Sequence, residues 1–355
     1  MASAQMAAPP QPVVPSWRLE PLVGWHLPLL RDPAFLPLQP VLQQAVWLGL
    51  PERILQALTA HKPLAPQVLV AFQGNTPEGL IVTRRLNRSG SCWQLQHLRL
   101  ACSEHRRPLA SALVRAAIRQ TRGASSWIAN AATLDNDRLA VLREQGFQPL
   151  RTDQLWCWRQ EGGAAPPVPA AGNNAGELQL QPLSRRNALL LWQLEQAACP
   201  ALLRQLLDRR VEDLLDQSGR KGWLLVDPGR DQAVAAIRWV GDHPGGGHDV
   251  ELTVHPGWPH LLGCGTELLL HRLQQQLKGA PRGLWLRSDV QDKPRQQWLQ
   301  RLGAEARGER VLMARSVWHR QEHPASTALG ARQLEAVLGK LQPRRQPLPT
   351  PLTPR

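Results

Sequence analysis

The sequence predicts an α/β protein of the α+β type, made of two similar domains in tandem, each a mixed, mostly antiparallel sheet flanked by helices. Three observations lead there. One order of apolar patterns runs along the chain twice. The chain has 355 residues, and domains of about 100–200 residues make two the natural count. Between the two runs, residues 161–176 (EGGAAPPVPAAGNNAG) have no hydrophobic period and are rich in Gly, Pro and Ala, the composition of a linker. The expected organisation is a disordered leader at 1–15, a domain at 16–160, the linker at 161–176, a second domain at 177–320, and a tail at 321–355. In the tail, Leu334, Val337, Leu338 and Leu341 mark one helix face before a Pro-rich basic end.

The elements pair off in order. Each half opens with a short strand, at 17–22 and 178–183, followed by Leu-rich helical sequence. Strands follow at 68–72 and 79–84, matched by 223–226 and 233–240. A longer strand comes next, at 92–101 and 249–254. An amphipathic helix then presents Ala110, Leu113, Val114, Ala117 and Ile118 in the first half, and Leu269, Leu270, Leu273 and Leu277 in the second. A further strand, at 126–131 and 283–288, leads to a helix ended by Gly146 or Gly303, the residue type favoured just past a helix end. A last strand, at 154–159 and 310–318, is expected to close its own half.

Composition narrows the function classes. No uninterrupted apolar run reaches membrane-spanning length, and the first residues lack the basic-then-apolar order of a signal peptide. The five cysteines, Cys92, Cys102, Cys157, Cys199 and Cys264, are scattered without a C-x-x-C pair. A disulfide framework and a cysteine zinc site are thereby disfavoured, no metal is expected, and a soluble, cytoplasmic protein is. The formal charge of +14 is dispersed over both halves, which suits an acidic ligand such as a nucleotide cofactor, or loose contact with nucleic acid. No RNP-like, helix-turn-helix or zinc signature supports the latter. The chain has 14 Trp and 0 Tyr, so no tyrosine can act anywhere in it.

The most specific stretch is Glu251-Leu-Thr-Val-His-Pro-Gly-Trp258, followed by His260-Leu-Leu-Gly263-Cys-Gly265-Thr-Glu-Leu268. With the element order, it resembles the GNAT acetyltransferase superfamily over roughly 16–160 and 177–320. The family motif is a strand ending Val-x-Pro, then Gln/Arg-x-x-Gly-x-Gly/Ala opening a helix. Here His260 stands where Gln or Arg is usual, one residue is inserted before it, and Gly263 and Gly265 keep their places. Successive backbone N–H groups at a helix N-terminus suit a phosphate oxyanion, and glycine permits close approach. The first half is more eroded: His105-Arg-Arg-Pro108-Leu-Ala110 has proline in place of the first glycine. Proline suits a first helical turn but removes one N–H donor. Arg106 and Arg107 are read there as surface charge.

The resemblance implies acetyl-CoA as co-substrate and an unknown primary amine as acceptor. By carry-over, the backbone of Leu252, Thr253 and Val254 lies beside the pantetheine. His260, Leu261, Leu262, Gly263, Cys264, Gly265 and Thr266 form the pyrophosphate loop, and Asp292 stands where the family often has Asn. Glu251 is the candidate general base, with a strand carboxylate paired to an arginine as the bland alternative; Asp249, two residues away on the same strand face, is the reserve. Cys264 is expected to be packed, and Trp258 to line a substrate entrance. The family's general-acid Tyr falls on Leu142 and Leu299, so neither half carries that acid. Two readings follow: an N-acyltransferase working in its C-terminal half beside a degenerate N-terminal half, or a tandem scaffold that binds acyl-CoA or a partner without turnover.

Overall fold

The computed structural model describes residues 16–58, 65–101, 104–121, 123–159, 178–243, 245–277 and 283–316. The expected leader, linker, and C-terminal helix and tail lie outside them. In the first half, the alternating apolar runs become β1 (Arg18–Pro21), β2 (Gln67–Gln73), β3 (Thr76–Arg85), β4 (Cys92–Leu100), β5 (Ser126–Ala132) and β6 (Gln148–Trp158). Helices α1 (Gln39–Leu58), α2 (Arg106–Gln120) and α3 (Asn136–Glu144) fall between them. The second half repeats the plan with β7 (Gln179–Pro182), β8 (Gly222–Asp227), β9 (Gln232–Asp242), β10 (His248–Val254), β11 (Leu284–Asp289) and β12 (Glu305–Ser316). Its helices are α4 (Ala188–Ala198), α5 (Ala201–Leu207), α6 (Val211–Ser218), α7 (Cys264–Gln276) and α8 (Lys293–Arg301).

All the strands join one 12-stranded sheet in the order β1-β2-β3-β4-β5-β12-β6-β11-β10-β9-β8-β7. The expectation that each last strand closes its own half is corrected here. β12 pairs antiparallel with β5 of the first half, and β6 pairs antiparallel with β11 of the second, so the halves exchange their final strands. These strands are also longer than read, because their first residues are polar and lack the apolar alternation that marks a strand. The two exchanged strands pair with each other at the centre, where Arg310 faces Asp153. The same sequence spacing separates Asp153 from Arg310 and Asp135 from Asp292. An approximate two-fold axis therefore crosses the sheet between Asp153 and Arg310.

One face of the sheet carries α2, α3, α7 and α8. Trp93, Leu113, Trp127 and Leu142 form the core there in the first half, and Trp156, Leu269, Trp298 and Leu299 in the second. On the opposite face, α1 covers the β1–β3 end through Leu42, Val70 and Leu80. Helices α4 and α6 cover the β8–β10 end through Leu191, Leu214 and Leu224. Leu206 and Leu207 of α5 reach across to Ile128, Leu312 and Ala314, so a helix of the second half packs on β5 of the first half and on the exchanged β12 beside it. Polar contacts reinforce that junction: Asn87 Nδ2 donates to Leu207 O at 3.0 Å, and Arg88 pairs with Asp216 at 2.6 Å.

Candidate functional site

In each half, the fourth strand starts parallel to the fifth and then leaves it. β10 pairs with β11 only at His248–Leu284 and Asp249–Trp285. An irregularity against β9 falls at Asp249/Val250, and bulges of this kind bend and twist a strand. From Val250 onward, β10 presents an edge that no strand pairs toward β11. Its side chains alternate: Val250, Leu252 and Val254 pack toward α7 and α8, while Asp249, Glu251 and Thr253 face the other side. The first half matches it, with four β4–β5 pairs ending at Leu95–Ala129.

The loop above the second notch is held by its own backbone. Leu261 N donates to Trp258 O and Leu262 N to Pro259 O, both at 3.1 Å. Gly263 N donates to Thr266 Oγ1 at 2.9 Å. Gly263 has φ 134° and ψ −121°, the kind of geometry only glycine adopts without strain. The donors of the first α7 turn that helix geometry leaves without an intrahelical acceptor are those of Cys264, Gly265 and Thr266. A Cβ on Gly265 would lie 3.3 Å from Leu225 and Leu261 side-chain carbons, whereas one on Gly263 would meet open space. The exposed face of this turn is therefore free for a ligand while its inner face is packed. His260 is exposed and tilts against Trp258 at 5.3 Å.

Two expectations at this loop are corrected. Trp258 is 7% exposed and belongs to the core, because the short turn at Pro259–Leu261 folds it inward with Leu261. Cys264 is exposed, because it is the first residue of α7 and points away from the sheet.

Below the loop, the notch holds side chains of this chain. Asp292 caps α8, its Oδ1 accepting from Arg295 N at 3.1 Å. Arg295 reaches back from that first turn and donates to Leu252 O at 2.7 Å. Its guanidinium lies along the part of β10 that β11 has left. Arg138 holds the same place in the first half, behind a cap in which Asp135 Oδ1 accepts from Arg138 N at 3.0 Å. Sequence reasoning missed both arginines. The available signal was Asp-x-x-Arg at the same point of each half.

Glu251 sits in a charge network on the far face. Arg238, 1% exposed, is hydrogen-bonded to Glu251 and also pairs with Glu195 at 3.0 Å. Arg209, from the α5–α6 connection, lies 3.3 Å from Glu195 and 3.8 Å from Glu251. Burial pushes the Glu251 carboxyl upward, but the Arg238 and Arg209 guanidiniums outweigh it and hold the group down at about 2. A carboxylate so clamped is a weak proton acceptor near neutral pH. Asp249 carries one buried oxygen without a hydrogen-bond partner. Ser288 is buried and accepts from Trp156 Nε1 at 2.8 Å. Leu142 and Leu299, at the positions where the resembled family has Tyr, are 2% and 0% exposed. In the first half, Arg107 pairs with Glu144 on the surface, and Pro108 is the third residue of α2, within its first turn. Among the described residues, no group of three or more His, Cys, Asp or Glu is placed to hold a metal, and no helix is long and apolar enough to cross a membrane.

No protein-family profile and no curated protein sequence matches this chain. Solved structures do. A tandem GNAT protein from the clavulanic acid biosynthesis pathway superposes with a TM-score of 0.51 at 18% identity, over 85% of this chain and 98% of that one. A Drosophila protein superposes with a TM-score of 0.51 at 14% identity, over 84% of this chain and 98% of that one. A candidate acetyltransferase from Pyrococcus horikoshii superposes with a TM-score of 0.50 at 9% identity, over 88% of this chain and 94% of that one.

Proposed function

We propose that this chain, which has the tandem GNAT fold, is an acyl-CoA-dependent N-acyltransferase, with its working site in the C-terminal half, acetyl-CoA as co-substrate and a primary amine as acceptor. The observation that carries this reading is the combination of a notch between β10 and β11 with a glycine-opened first turn of α7, the helix that follows β10 in the chain. The co-substrate supplies an activated thioester. The N–H groups of Cys264, Gly265 and Thr266 would hold its pyrophosphate, with the helix dipole adding to them. The free edge of Leu252, Thr253 and Val254 would bond the pantetheine amides, with Arg295 giving up or sharing Leu252 O. In this scheme Glu251 positions Arg238 and Arg209, and the amine's proton passes to solvent.

A second reading rests on Arg295. Its bond to Leu252 O closes the notch with the chain's own side chain, as a tandem scaffold without turnover would. Calorimetric titration of acetyl-CoA into the whole chain and into Cys264→Glu separates the cases. Glutamate at an exposed first helical position is compatible with the helix and repels a pyrophosphate. Binding to the wild type that is lost in the variant supports the site; no binding to the wild type sinks it. Binding without transfer of radiolabelled acetyl to any of a panel of amines selects the scaffold.

A further inference from the structure

The hairpin between β9 and β10 brings three side chains together on the sheet face opposite α7 and α8. Leu284 and Leu286 of β11 pack in the α7 core, so Trp285 between them faces the other side. Asp249 is opposite Trp285 in the last β10–β11 pair and opposite Gly241 on β9, so it shares that face. His243, two residues beyond Gly241, lies on it too, and its ring stacks on the Trp285 indole with centroids 3.8 Å apart and planes 20° apart. β10 runs between β9 and β11, so a ring that starts from the β9 side and reaches Trp285 crosses β10 beside Asp249. The hairpin fixes this arrangement. Trp285 Nε1 donates to Gly246 O at 2.7 Å, and His243 N donates to Gly247 O at 3.0 Å. Gly246 and Gly247 hold φ of 84° and 85°, a region that favours glycine.

Two polar atoms in this corner are unmet. Gly245 N donates to His243 Nδ1 at 3.1 Å, so the neutral imidazole carries its proton on Nε2. Burial pushes the His243 imidazole below its ordinary value and keeps it neutral. His243 is 9% exposed, and its Nε2 is buried without a partner. One carboxylate oxygen of Asp249 is likewise buried without a partner. Among the described residues, Asp249 has no His, Lys or Arg nitrogen within 4.0 Å, that of His243 included, whereas the adjacent Asp242 and His248 pair at 2.8 Å. An orphaned donor and an orphaned acceptor each cost free energy that a molecule bridging them recovers. The corner also sits at the head of the notch, because the free edge of β10 starts at Val250, the next residue. The α7 turn follows the other end of that edge, past Val254. On the acyl-transfer reading, a pantetheine arm running along the edge from that turn brings its thioester to this corner.

We propose that His243, Asp249 and Trp285 form the acceptor subsite, and that it takes a small amine with a neutral hydrogen-bond acceptor, a hydroxyl or carbonyl, within a few bonds of its nitrogen. Asp249 accepts from the amine N–H groups, His243 Nε2–H donates to the hydroxyl or carbonyl, and Trp285 holds the imidazole in place by the stack. A plain alkylamine satisfies Asp249 alone and leaves the His243 donor unmet, so the corner selects amino amides and amino alcohols over it. The role as acceptor rests on the acyl-transfer reading; the binding itself does not.

The test is fluorine NMR on the whole chain labelled with fluorotryptophan, the Trp285 signal being assigned by its loss in Trp285→Phe. Glycinamide and aminoethanol are expected to shift that signal saturably, and propylamine to need at least tenfold more. Asp249→Asn keeps the size of the side chain and should weaken glycinamide at least tenfold without lowering the melting temperature, since it breaks no ion pair. His243→Phe keeps the ring stack and should bring glycinamide and propylamine within twofold of each other. The titrations contain no acetyl-CoA, so the two readings fail separately. Glycinamide binding in a chain that does not bind acetyl-CoA sinks acyl transfer and leaves the subsite standing; acetyl-CoA binding without any amine shift does the reverse. No saturable shift (the result if water alone bridges the two groups), equal response of the wild type to glycinamide and propylamine, or unchanged binding in Asp249→Asn would each overturn the inference.

Discussion

At the scale of single residues, Glu251 shows what a sequence can offer and what it withholds. Its place on the fourth strand was legible from the Val-His-Pro-Gly-Trp run that follows. Its partners were not, because Arg238 and Arg209 reach it through strand register and a helix connection that no local pattern encodes. The clamp gives two expected outcomes for Glu251→Gln. Arg238 loses one of its two carboxylates, but the Glu251 side chain is 41% exposed and solvent screens the pair, so chemical denaturation should show a loss of only about 1 kcal/mol. The acid limb of stability should also shrink. A carboxyl whose folded value lies near 2, below its ordinary 4.5, contributes stability that is full above the unfolded value and lost as pH falls through the folded one. Melting temperatures of the wild type and variant should therefore converge between about pH 4.5 and 2. An unchanged melting curve with abolished acetyl transfer would instead return Glu251 to the role of base.

At the scale of elements, the periodicities were read well. Apart from the final strands, which start earlier, the strands, the two amphipathic helices and the glycine stops at Gly146 and Gly303 fall where the apolar pattern put them, with φ of 82° and 78° at the two glycines. Choice of strand partner was not readable. β5 and β11 present similar alternating edges, and either final strand satisfies either one, so only the assembled sheet decides. The caps of α3 and α8 were half legible, since Asp is a favoured N-cap residue type but the hold of Asp292 on Arg295 did not show. Asp292→Ala is expected to cost about 1 kcal/mol in denaturant unfolding, as N-cap losses do. Asp135→Ala should cost a similar amount. A null effect at both would mean the first turns are fixed by packing alone.

At the scale of the molecule, exchange makes each half incomplete. Without β12, β5 would expose a full edge; without β6, so would β11. Expressed separately, residues 16–160 and 177–320 should be insoluble or aggregated, while co-expression should recover a 1:1 complex with the circular dichroism of the intact chain. Two independently folded, monomeric halves would contradict the exchanged topology. The outer edges of the intact sheet need less protection, since β1 and β7 are only four residues each.

The pair at the centre of the sheet limits how the architecture can be assembled. In a dimer of identical subunits, a residue next to the dyad meets its own copy. Two copies of the first half would set Asp153 against Asp153, and two copies of the second would set Arg310 against Arg310. Opposite charges can meet there only when the two subunits differ. Covalent fusion of unlike halves satisfies that condition in every molecule, and it spares the like-charge contact that either self-pairing would create at that register position.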